Sequence, residues 1–154
     1  MSSPATSTAL SLLLPVFFLN AWTLFIETIM LYYRIPLLAR LDIPSGLTHE
    51  QINRLIPASV RCKADNFNHL MEQPMNFYVV TLATALGHYL SQGEWQGRSM
   101  DLALSWLYVV LRVVHSYYHL NEEVKKRFLT FIASSMVLGV MTGTGAWRLW
   151  ENSA

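Results

Sequence analysis

The sequence predicts an all-α membrane protein built as a bundle of four transmembrane helices, and three observations carry that expectation. The 154 residues are 53% hydrophobic and only 14% charged, with a positive mean hydropathy, a membrane composition rather than that of a soluble domain. Four apolar segments approach the ~20 residues needed to cross hydrocarbon. The basic residues gather in two of the connections between those segments. The length is that of a single domain over residues 1–154, and a formal net charge of +1 supplies no field of the kind that binds nucleic acid.

The first segment, Leu10 to Tyr33, is interrupted only by Asn20 and Glu27 and predicts a helix over about 10–34. A secretory signal is the rival reading, since Leu10 to Leu19 resembles a short hydrophobic core. Met1 to Ala9 has no basic residue and the apolar run outlasts signal length, so the segment is expected to remain as a span. Leu41 to Val60 is the one sizeable soluble connection. Within it Ile43-Pro44-Ser45-Gly46 is a turn signal, and Thr48 is placed to cap a short helix that opens at His49-Glu50-Gln51.

The second span, about 64–90, carries Asn68-His69-Leu70-Met71-Glu72-Gln73-Pro74 near its start. Pro74 frees a backbone carbonyl and is expected to kink the helix. The third, about 101–120, carries Arg112-Val113-Val114-His115-Ser116, and the fourth, about 126–148, has an uncharged stretch from Phe128 to Trp147. On that last helix Ser135, Gly139 and Gly143 recur every four residues, a small-residue stripe that predicts close helix packing within or between subunits.

Arg34, Arg40, Arg54, Arg61 and Lys63 flank or occupy the first loop, and Lys125, Lys126 and Arg127 the third, against Arg98 and Arg148 on the other side. By the positive-inside rule both rich loops are cytoplasmic and both termini lie outside, with Trp95, Trp147 and Trp150 as outer interface anchors. The lone Cys62 excludes an internal disulfide and reads as an inert thiol.

Ionisable groups inside apolar spans are functional candidates by default. Glu72 and Arg112 each lie about eight residues from the cytoplasmic end of their span, roughly 12 Å along it. They are therefore expected to meet as an ion pair that fixes helix register. Asp65, Asn68 or His69, Glu72 and Asn76 form one stripe on the second span, answered by Arg112, His115 and His119 on the third, which predicts a shared polar seam. A metal site using His115, His119, His69 and Glu72 is the sharper alternative on spacing. Arg112 opposes it electrostatically, and no metal is expected.

Four spans with two cytoplasmic basic loops, Asn-x-x-x-Glu-x-Pro beginning at Asn68, and Arg112-x-x-His115-Ser116 within Tyr108–Ser116 resemble the MAPEG family, the membrane-associated proteins of eicosanoid and glutathione metabolism. The resemblance runs from about Leu10 to Trp150. It implies a homotrimer of four-helix subunits among membrane lipids, glutathione bound between subunits near the cytoplasmic face, and a lipophilic small-molecule co-substrate arriving from the bilayer. It further implies a catalytic arginine that stabilises the glutathione thiolate, for which Arg127 is the nearest match, with Asn68, Glu72, Arg112, His115, Tyr118 and Lys126 as binding residues. Tyr117 is the alternative to Tyr118, and a purely topogenic role is the alternative for Lys125, Lys126 and Arg127.

The chain departs from the family pattern at four points. Asp65 and Asn68 stand where basic residues are usual, the asparagine precedes Glu72 by four positions rather than three, and His119 stands where a tyrosine is expected. With Asp65 so placed, Arg61 or Lys63 would have to reach across to replace the missing cation. The implied function is a glutathione-dependent transferase or peroxidase acting on lipophilic substrates. The alternative is a catalytically silent member of the fold with a lipid-binding or accessory role. The short N-terminus, in which no targeting signal is read, fits a bacterial inner membrane, with an internal eukaryotic membrane as the alternative.

Overall fold

Helix breakers and caps decide where this chain turns. In the computed structural model, which describes residues 4–41, 45–91, 95 and 97–153, six helices account for nearly everything: α1 Pro4–Arg40, α2 His49–Leu55, α3 Ala58–Glu72, α4 Pro74–Leu90, α5 Arg98–Leu120 and α6 Val124–Ser153. Thr48 caps α2 as its sequence suggests. Its hydroxyl accepts from the Gln51 N–H, while the Gln51 side chain accepts from the Thr48 N–H at 2.8 Å, a reciprocal capping box. In the expected turn just before it, Ile43 and Pro44 lie outside the described residues. The second predicted span begins earlier than expected and is broken at Gln73 into α3 and α4, because Pro74 cannot continue the hydrogen-bond ladder.

Gly97 opens α5 at φ +94°, in the left-handed region, and a Cβ there would lie 2.3 Å from Arg148 Nη2. Glycine thus both turns the chain and lets that arginine approach.

α1 packs along α3, α4 and α5, and α6 lies against α5 and α4. On α1 the buried positions are Thr8, Leu12, Pro15, Leu19, Thr23, Ile26 and Met30, spaced by three and four. The exposed positions between them include Leu10, Leu14, Phe17, Phe18, Leu24 and Phe25. A helix apolar all round, buried along one narrow stripe, is built for lipid. α5 inverts the soluble pattern outright: it buries Asp101, Ser105, Arg112, His115, Ser116 and His119 while exposing Leu107 and Val110.

α1 over Thr6–Arg40 and α6 over Val124–Glu151 are long and apolar enough to cross a membrane. At 1.5 Å per residue α1 runs about 55 Å, beyond the ~30 Å of hydrocarbon.

The apolar core sits mid-bundle, where Leu19, Phe77, Tyr108, Val109, Leu138 and Met141 meet. Phe77 and Tyr108 stack at 4.5 Å between ring centroids. Trp147 and Trp150 are exposed as anchors would be, but Trp95 is not: it is buried and stacked on His88 at 5.5 Å. Gly87 makes that possible, since a Cβ there would overlap the indole. Gly139 and Gly143 have open space where a Cβ would sit, and with Ser135 they face a cavity that Asn76, Val79 and Val80 of α4 also line.

Candidate functional site

The polar seam exists, with partners different from those the spacing suggests. Arg112 is completely buried, and its guanidinium donates to Gln73 Oε1 at 2.8 Å and to the His69 carbonyl at 2.6 Å. Glu72 is exposed and faces His69 Nδ1 at 3.5 Å. The expected Glu72–Arg112 ion pair is therefore not made.

Helix geometry explains why. Asn66, Leu70 and Gln73 fall within about 60° of one another around the axis, whereas Asp65, Asn68, Glu72 and Asn76 centre roughly 115° away. That second stripe is real, but all four of its residues are exposed. The break before Pro74 supplies what the carboxylate does not, a carbonyl in the last turn of α3 and an amide at the joint. Gln73 also donates to Ser135 Oγ at 2.5 Å, so α5 and α6 both meet that joint.

One turn nearer the loop between α5 and α6, His69, His115 and His119 cluster with ring centroids 5.3 to 6.1 Å apart. His115 and His119 both take hold of Arg127. His115 Nδ1 lies 3.0 Å from the Arg127 carbonyl, so that nitrogen carries the hydrogen and donates. His119 Nε2 lies 3.1 Å from Arg127 Nη1 and accepts from it, so that nitrogen carries the lone pair. The other nitrogens, His115 Nε2 and His119 Nδ1, are buried without a partner among the described residues.

Beside the clamp is a pocket of about 280 Å³ lined by His69, His115, Val124, Arg127, Phe128 and Phe131. On another face of α3 a polar pocket of about 190 Å³ gathers Arg34, Asn53, Arg61, Asp65 and Asn68 among its lining. Arg61 thus does stand beside Asp65 and Asn68, joined by Arg34.

Of the residues singled out in the sequence, Arg112, His115 and Arg127 are brought into one region. Asn68 belongs to the polar pocket and Glu72 to the exposed stripe. Tyr118 and Lys126 pair with each other instead, the ammonium 5.5 Å from the ring centroid, and Lys126 also meets Glu123 at 3.3 Å. Among the described residues no group of three or more His, Cys, Asp or Glu is arranged to hold a metal ion, and His119 Nε2 is already engaged by a cation. Gln73 escaped the sequence reading. Its one signal is an amide immediately before the proline that breaks the helix.

A profile of the MAPEG family matches residues 12–147, nearly the whole chain. The chain belongs to the MAPEG family. This MAPEG protein is accordingly a membrane protein, consistent with its two long apolar helices. No curated protein and no solved structure matches it.

A second polar cluster, at the far end of α5, was not foreseen. Asp101 Oδ2 receives Arg148 Nη1 at 2.6 Å and meets His88 Nε2 at 2.9 Å, both acid and imidazole being buried. This buried ion pair joins α5 to α6, with His88 bringing in α4.

Proposed function

We propose that this MAPEG protein is a glutathione-dependent transferase or peroxidase for lipophilic substrates, with Arg127 holding the glutathione thiolate. One observation carries the reading: Arg127 is gripped at both its carbonyl and its guanidinium by imidazoles of α5, beside a pocket whose other walls include Phe128 and Phe131. A fixed guanidinium lowers the cost of a thiolate, and the phenylalanines suit an apolar co-substrate entering from lipid.

The residues fit glutathione in kind. Arg34 and Arg61, with Asn53 and Asn68, offer donors to its carboxylates, and Asp65 offers a partner to its ammonium. In the transfer, the thiol gives its proton to water, Arg127 stabilises the sulfur anion, and the anion forms a carbon–sulfur bond with the electrophile while the electrophile's leaving group departs with the pair of the bond that breaks.

The same reading takes α1, α3–α4, α5 and α6 as four spans, with the basic loops cytoplasmic and both termini outside, in a membrane such as a bacterial inner membrane. It also takes the assembly as a homotrimer. Asp65, Asn68, Glu72 and Asn76 form an exposed stripe that lipid cannot solvate. A neighbouring subunit covers it, and the open small-residue face of α6 admits close approach.

Asp65 and Asn68, standing where family cations are expected, favour the second reading, a catalytically silent member with a lipid-binding or accessory role. Thermal stabilisation of the detergent-solubilised protein across a glutathione titration separates the two. The enzyme reading expects about 2.7 kcal/mol of added stability at a hundredfold excess over Kd. No shift at millimolar glutathione sinks it.

A further inference from the structure

Resting on the glutathione reading above, we propose that His119 is the positioning residue for Arg127, its Nε2 accepting a guanidinium N–H and so fixing where the remaining donors point. The family resemblance leads to a tyrosine here. A phenol hydroxyl both donates and accepts over the whole physiological range, whereas an imidazole nitrogen accepts only while it is unprotonated. This chain has thereby made the direction of Arg127 depend on the proton state of a neighbour.

Three observations converge on it. The 3.1 Å contact runs between the end of α5 and the first turn of α6. His119 is buried, so the ring has little freedom to turn away. His115 holds the Arg127 carbonyl from the same helix, leaving the side chain as the part still to be directed.

The groups facing His119 are His69 on α3, with ring centroids 5.3 Å apart, His115 at 6.0 Å on its own helix, Arg127 on α6, and the Asp65 carboxylate at longer range. Of these only Asp65 is acidic. A proton on Nε2 turns the acceptor into a second cation against the guanidinium, so the contact changes from bond to repulsion. Arg127 then swings from its site, and turnover falls on the acid side.

The test uses the full chain in detergent with glutathione and a chlorodinitrobenzene as model electrophile. H119F keeps a ring and removes the acceptor; it is expected to lower kcat about tenfold to a hundredfold, with KM for glutathione within about twofold. H119Q supplies an amide oxygen that accepts at any pH. It is expected to recover most of the rate lost in H119F and to decline less steeply than the native protein on the acid side, where protonation of the glutathione thiolate slows both.

H119F with native kcat, H119Q as slow as H119F, or the same acid decline in H119Q and the native protein would each overturn the proposal. Should H119F fail to fold, the pH profile of H119Q against the native protein decides alone. The ultraviolet absorbance of bound thiolate separates the two levels of inference. A native protein that forms no thiolate removes the glutathione reading and this one with it, whereas full thiolate in H119F removes only the role of His119.

Discussion

At the far end of α5 a buried carboxylate receives a guanidinium and an imidazole. At the near end two guanidiniums are met by an amide oxygen, a backbone carbonyl and an imidazole lone pair. The two clusters lie on one helix and use similar residue types, yet they solve opposite problems. Asp101 balances its partners locally, and Trp95 and Gly87 seal the imidazole over. Arg112 and Arg127 keep positive charge held by neutral groups, with unpartnered imidazole nitrogens beside a pocket. The charge of Asp101 is cancelled in place, whereas Arg112 is buried against neutral acceptors and Arg127 brings an uncancelled charge to the wall of a pocket.

Removing the far-end carboxylate breaks the contrast most severely. Asp101→Ala strips His88 and Arg148 of the acid they share and should cost about 3–5 kcal/mol. The check is a fall in Tm, with glutathione still raising Tm in whatever fraction remains folded. Arg127→Ala tests the other side. Turnover should fall by about 10²–10³, equivalent to roughly 2.7–4 kcal/mol of transition-state stabilisation, while Tm changes little; steady-state conjugation assays beside melting curves check both, and unchanged turnover removes Arg127 from the mechanism.

Gly87→Ala forces Trp95 off His88 and should cost about 1–3 kcal/mol, visible as a changed indole emission and a lower Tm. Glu72→Gln sharpens the comparison from its weakest point. Because Glu72 is exposed and does not bond Arg112, the stability of the subunit should move by less than about 0.5 kcal/mol. A loss of several kcal/mol would restore the ion pair that spacing alone suggests.

Much of this was readable from the chain, for identifiable reasons. Helical character followed from segment length, and the cap at Thr48 and the break at Pro74 from local chemistry that tertiary context did not override. That Arg112, His115 and His119 line a polar seam was legible because ionisable groups in apolar spans have few places to go, whereas Arg127 was singled out by the family resemblance alone. What misled was angle. Glu72 and Arg112 share a depth, but depth does not say which way a side chain points, and one position along α3 turns it through about 100°.

The Asp101–Arg148 pair was hidden for another reason. Its partners are 47 residues apart at helix ends, where charge is unremarkable in a sequence, and only the fold shows that they are buried. His119 was noticed as a departure, but its role needed the position of α6.

Gln73 has a consequence of its own. It joins α3–α4 to Arg112 on α5 and to Ser135 on α6 through a carboxamide, a group that neither takes up nor releases a proton in water. The joint at the centre of the bundle therefore rests on an acceptor with no proton to gain: acid that protonates the imidazoles one turn away leaves the grip of Gln73 on Arg112 and Ser135 in place.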